Sequence, residues 1–193
     1  NTSGAVSIVT TVFPLTIIAD ITATGQSLTL TGVGIYQTTG TILAAGLTVN
    51  AGAGSIALNQ ANNNFTGAVS LNNTGPNSVA ITDANALDFG SSTLGSGSLT
   101  VTAVGITQSG AITVAGTSSF NAGAGVITLT QSNDFTGAVS LNNSGANNVA
   151  IVDSNDITIG VTSLGTGTFA VTGSNIKLNS NVTTTNNSQT YTG

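Results

Sequence analysis

The sequence predicts an all-β fold, a parallel β-solenoid, and three observations carry that prediction. The nine letters FTGAVSLNN at residues 65–73 return unchanged at 135–143. Short stretches such as AVSL and LTVT alternate large apolar residues with small or polar ones, the period-two signature of a strand with one buried face. Matching apolar positions such as Ile106, Ile127, Val149 and Val171 recur about every 21 to 22 residues, which suits a coil of about three short strands. Helix is disfavoured, because the chain holds 25 glycines, its apolar residues are largely β-branched, and no 3.6-residue stripe persists.

Taken in order, residues 1–49 form a partial copy of the repeat, in which SLTLTGVGIYQTTGTI from Ser27 corresponds to SLTVTAVGITQSGAI from Ser98. A second copy fills 50–120, opening NAGAGSIAL, and a third fills 121–193, opening NAGAGVITL. The offset is 71 at Ala51 and Ala122 but 70 from Phe65 and Phe135 onward. One residue is therefore missing from the Asn-rich loop of the later copy, as a surface turn tolerates. Strand-like tetrads lie at 55–58, 68–71, 78–81 and 98–101, parted by Gly, Asn, Ser and Asp clusters. At about 21–24 residues per coil, three coils are expected to make each 70-residue unit, and 1–193 one continuous solenoid segment. Eight or nine coils at roughly 4.8 Å would give a rod about 40 Å long.

So narrow a coil has no globular core, and its apolar side chains must stack in rows along the axis. Ile127, Leu129, Val139, Leu141, Val149, Ile151, Phe169 and Val171 are expected to be buried. Phe65 and Phe135 read as inward or corner-filling aromatics. Asn72–Asn73 and Asn142–Asn143 read as the corners that follow, since Asn tolerates left-handed angles and bonds nearby backbone.

Composition narrows the function. Only 4% of the 193 residues are charged: one cation, Lys177, and six carboxylates, all Asp, for a net charge of −5. Such a chain has nothing to neutralise a phosphate backbone or grip an anionic membrane, so nucleic acid is not an expected partner. Mean hydropathy is +0.36, which argues for a folded chain. The most apolar run, VFPLTIIA from Val12, falls far short of the ~20 residues a membrane helix needs and contains Pro14. No membrane insertion is expected. With no cysteine there is neither disulfide nor thiol chemistry.

The phrases NAGAGVITLTQSNDFTGAVSLNN, GSLTVTAVGITQSGAITVAGTSSF and NNSQTYTG resemble the repeats of very large bacterial exported proteins, the filamentous-haemagglutinin-like and autotransporter-type adhesin stalks. The likeness covers most of the chain. It implies a right-handed parallel β-helix, secreted to the bacterial cell surface, serving as a shaft or adhesive surface.

Candidate chemistry is sparse. Carboxylates occur in equivalent pairs, Asp83 with Asp88 and Asp153 with Asp156. Glycosidases need two carboxyls at fixed separation and pectate-lyase-like β-helices hold calcium on carboxylates, but Arg and His are absent and Lys177 is distant. Asp side chains bonding turn N–H groups are the favoured reading. Asp153, Asn155 and Asp156 form a weak Ca2+ candidate, without the Gly and bidentate Glu of an EF-hand loop. Serines lack an activating base, and the AGAG strings at Ala51 and Ala122 lack the Lys and helix of a phosphate loop. Six N-x-Ser/Thr triplets begin at Asn1, Asn64, Asn72, Asn142, Asn181 and Asn186, near chance in so Asn-rich a chain. Thr-x-Thr pairs at Thr29/Thr31, Thr100/Thr102 and Thr128/Thr130 do not form the unbroken rank that an ice-binding face requires.

The expected function is therefore non-enzymatic and cofactor-free: a structural segment of an extracellular bacterial fibre, adhesin stalk or surface filament. The rival of a different class is a carbohydrate-binding or carbohydrate-cleaving β-helix. Both ends cut the repeat in mid-motif, with QTYTG at the C-terminus read as the counterpart of the FTG segments and SGAVSI opening at Ser3. Self-association, head to tail or by continuation of the same chain, is the expected partnership, with glycans or a neighbouring cell surface as outside ligands.

Overall fold

A computed structural model of the chain describes residues 4–185 and 187–193. Ser3 and the triplets beginning at Asn1 and Asn186 start outside the described residues. All described regular structure is β, arranged as a parallel solenoid with its strands in a 13-stranded and an 11-stranded sheet. The ladders run coil on coil. Val6, Leu28, Leu47 and Val69 form one inward column, and Leu15, Ile35, Ile56, Val79, Leu99, Ser118 and Val139 another. Coil length varies slightly, the step from Leu28 to Leu47 being shorter than the step from Leu47 to Val69. Nine such steps lead from Val6–Val9 to Gln189–Thr192, giving an axial length of roughly 43 Å.

The alternation read from the tetrads is the alternation that folds. Strands begin one residue later than the tetrads, at Ile56–Leu58, Val69–Asn72, Val79–Thr82 and Leu99–Thr102. All eight residues expected inside are at most 2% exposed, and Phe65 and Phe135 are each 1% exposed. Ile106, Ile127 and Val149 share a column that continues to Phe169, while Val171 lies over Ile151. Phe120 packs edge-on against Phe89 at 6.3 Å and Phe135 at 5.9 Å, so aromatic bulk bridges the two sheets.

Two expectations about phase are corrected. The identical strands Val69–Asn72 and Val139–Asn142 lie in different sheets. It is Val79 that shares a column with Val139, three coils away by way of Leu99 and Ser118. The chain from Val69 to Val79 crosses to the other sheet, so a 70-residue unit advances three and a half coils, not three, and each copy is turned half-way round relative to the last. The reason is coil length: the repeat is not a whole number of coils, and half a coil is left over. The half-coil is absorbed where two short strands, Leu87–Phe89 and Ser92–Leu94, lie over the single strand Val69–Asn72, with Gly90 between them. Ile157–Ile159 and Thr162–Leu164 do the same over Val139–Asn142, around Gly160.

The C-terminal phase is corrected too. Gln189–Thr192 lies over Phe169–Thr172 as Ser118–Asn121 lies over Leu99–Thr102. QTYTG is thus the counterpart of SSFNA, with Tyr191 in the place of Phe120 and edge-on to Phe169 at 6.0 Å.

Candidate functional site

The most organised polar chemistry lies at one corner of the coil and is built twice. Gln37, at the end of Ile35–Gln37, and Asn63, just before Asn64–Phe65, face each other across adjacent coils and exchange two amide hydrogen bonds, both 2.8 Å. Asn63 Oδ1 also accepts the Ile42 N–H at 2.9 Å, and its amide donates to the Leu58 carbonyl at 3.2 Å. One unit later Gln108 and Asn133 repeat the pair at 2.8 and 2.9 Å, with Asn133 reaching the Ile112 N–H and the Leu129 and Val152 carbonyls. Asn63 and Asn133 are fully buried. A buried amide is tolerated only when every group is paired, and here the pairing stitches two successive coils at Asn63 and three at Asn133.

Asp83 and Asp153 extend this corner by one coil. Asp83 Oδ2 accepts the Phe65 N–H at 3.1 Å and Oδ1 the Asn85 N–H at 2.9 Å. Asp153 repeats both contacts, with Phe135 N–H and Asn155 N–H each at 2.8 Å. Burial is the largest influence on both carboxyls and pushes them above the usual Asp range, partly opposed by the two N–H donors; at Asp153 the neighbouring Asp134 and Asp156 push the same way as burial. Asp88 is spent differently, accepting the Thr107 hydroxyl at 3.1 Å and the Ser109 hydroxyl at 2.6 Å.

The calcium candidates are therefore divided. Asp153 turns inward with both oxygens occupied by backbone N–H groups, while Asn155 and Asp156 are exposed and line an open groove with Asp134, Thr136, Thr158 and Ser174. Among the described residues no three His, Cys, Asp or Glu side chains converge as a metal centre. Lys177 lies exposed one coil over Thr158, at the rim of that groove.

Asn72 and Asn142 end their strands in a ladder, Asn72 donating to Asn50 Oδ1 at 3.1 Å and Asn142 to Asn121 Oδ1 at 2.9 Å. Asn73 and Asn143 turn the corner, their amides donating to the Gly54 and Gly125 carbonyls. The AGAG strings are turns, with Gly52 and Gly123 at φ of 53° and 54°. Thr29/Thr31 stack on Thr48/Asn50 and then Ser70/Asn72 in one sheet, while Thr100/Thr102 lie in the other. The hydroxyl rank is broken by Asn and by the half-turn.

Sequence reasoning does not single out the Gln–Asn pairs, because Asn63 falls in the Asn-rich segment that reads as a surface turn. The available signal is recurrence, Gln37 with Gln108 and Asn63 with Asn133, at the repeat offset.

A family model described as repeats of unknown function (DUF5649) matches residues 3–72 and again 76–142. The chain belongs to this family. The two DUF5649 matches recur at the spacing of the structural unit, and the first carries the early copy forward from Ser27 to residue 3. The ladder agrees: Val6 pairs with Leu28 as Val79 pairs with Leu99. No curated protein and no solved structure gives a match.

Proposed function

We propose that the chain is a non-catalytic structural segment of an extracellular bacterial fibre, adhesin stalk or surface filament. The observation that carries this reading is the unbroken parallel ladder of nine coil steps clothed in Ser, Thr, Asn and Gly. Every backbone bond between coils runs along the axis, so tension is shared by all ladders, and neutral side chains keep the shaft wetted without charge pairs that salt would screen. The likeness of its repeats to filamentous-haemagglutinin-like and autotransporter-type adhesins supports export to the cell surface. The buried carboxylates Asp83 and Asp153 are committed to backbone donors, which supports a structural use.

The partnership that goes with this reading is self-association, by the same polypeptide or by another copy, since each coil of a parallel ladder contacts only its neighbours and is joined to the next by the same backbone bonds. Antibody labelling of intact cells tests the location, and electron microscopy of the native material tests the assembly. Surface label on thin unbranched fibres is the expected result. Label confined to the cell interior would overturn the location, and dispersed globular particles the assembly.

A further inference from the structure

The two Gln–Asn corners make the same bonds on segments of different length. Asn63 follows Leu58 by 5 positions and Asn133 follows Leu129 by 4, yet each donates to that leucine's carbonyl. Each also accepts the N–H that lies 21 positions back, from Ile42 or Ile112, so a side-chain oxygen serves where a ladder carbonyl is lacking. The intervening backbone differs. The first copy has two strands, Ile56–Leu58 and Asn64–Phe65, and the second has the single strand Ile127–Phe135 with an irregular ladder between Leu129 and Asn133. Register is nevertheless the same on both sides of the corner. Ile35 pairs with Ile56 before it and Ala44 with Phe65 after it, just as Ile106 pairs with Ile127 and Val114 with Phe135.

A segment that gains or loses one residue needs something to restore the register, because a shift of one position turns every inward side chain outward. The hydrophobic pattern is weak at this point, since Asn62, Asn63 and Asn64 run consecutively ahead of Phe65. We propose that each Gln–Asn pair is a register clamp, which lets the outer segment at 59–62 or 130–132 vary in length while the ladders on either side stay in step. Gln37 lies over Ile17 and Gln108 over Phe89, each a polar residue in an inward column. Two amides that exchange both donor and acceptor do so in one alignment, so Gln37 selects a single Asn of the run. The other Asn63 bonds go to the Ile42 N–H and the Leu58 carbonyl. Gln37 therefore supplies alignment and not the pairing of those backbone groups. Buried polar residues used in this way fix register while adding little net stability. The clamp acts in the folded solenoid whatever the rod is used for, so losing it leaves the shaft reading intact.

The test is a double-mutant cycle on the 193-residue protein, crossing deletion of Ala61 with Gln37→Leu. The deletion gives the first copy the 4-position spacing of the second. With Gln37 in place, the deletion should change the unfolding equilibrium constant in urea by less than about fivefold. The Ile42 and Phe65 amides should stay as protected from hydrogen exchange as in the native chain. Gln37→Leu alone should remain folded with both amides protected, because leucine extends the apolar column and Asn63 keeps its backbone bonds. In the Gln37→Leu background the same deletion should cost at least about tenfold more than in the native one, and both amides should exchange freely. A second cycle, crossing one alanine inserted after Gln131 with Gln108→Leu, should give the same pattern and preserves the comparison if Gln37→Leu does not fold. Equal cost of the length change with and without the Gln, or loss of Ile42 protection on deletion of Ala61 alone, would overturn the proposal.

Discussion

Asp83 and Asp153 are buried carboxylates whose ionised form is opposed by desolvation, and this fixes the sign of their pH dependence. A carboxyl raised above its unfolded value holds its proton more tightly in the folded chain, so its contribution to stability is complete below the unfolded value of about 3.9 and is lost as pH rises through the folded value. The melting temperature should therefore rise on acidification from pH 7 toward pH 4, and this dependence should shrink in Asp83→Asn with Asp153→Asn. A melting temperature that falls over the same interval contradicts the assignment. Asn133 is the more costly position. Its amide joins Gln108, Ile112, Leu129 and Val152, and Asn133→Ala strands buried partners, so urea unfolding should show a loss of about 3 kcal/mol, the upper end for orphaned buried polar groups. Turn-capping by Asp was legible in the sequence because Asp has a known local habit. The Gln–Asn pair was not, because its partners lie a coil apart and either residue alone reads as loop.

Strands and corners fail in distinguishable ways. Ser118 stands in the inward column between Leu99 and Val139, 3% exposed, and its hydroxyl has no partner. Leu47 holds the equivalent place one unit earlier. Ser118→Ala removes an unsatisfied hydroxyl without adding volume and should stabilise by about 1 kcal/mol in chemical denaturation. Corners depend on close approach instead: a Cβ on Gly125 would collide with the backbone of Gly105 in the coil below. Gly125→Ala should therefore separate two coils and cost more than the ~1 kcal/mol of a strained turn, read by the same unfolding curves. Strand existence was legible because an inward residue must be apolar at nearly every coil, which imprints period two. Strand continuity was less so: one deleted residue turns the separate strands Ile56–Leu58 and Asn64–Phe65 into the single strand Ile127–Phe135.

At the scale of the whole molecule, the account rests on the ladder register: a 70-residue unit advances three and a half coils, giving a rod with like faces on opposite sides. The sequence showed the long period and the shorter coil period inside it, but spacing alone does not say whether a unit closes on whole coils. Only pairing distinguishes Val79, which shares a column with Val139, from Val69, which shares its letters. Because the chain has no cysteine, paired cysteines carrying nitroxide labels decide the matter by electron–electron distance. Labels at Ala80 and Ser140, three coils apart in one outward column, should lie roughly 14 Å apart at the backbone. Labels at Ser70 and Ser140 should be farther apart by on the order of 10 Å, because the sheets are stacked ~10 Å apart and the labels project from opposite sides. A Ser70–Ser140 distance equal to or shorter than the Ala80–Ser140 distance would contradict the half-turn and the two-faced rod built on it.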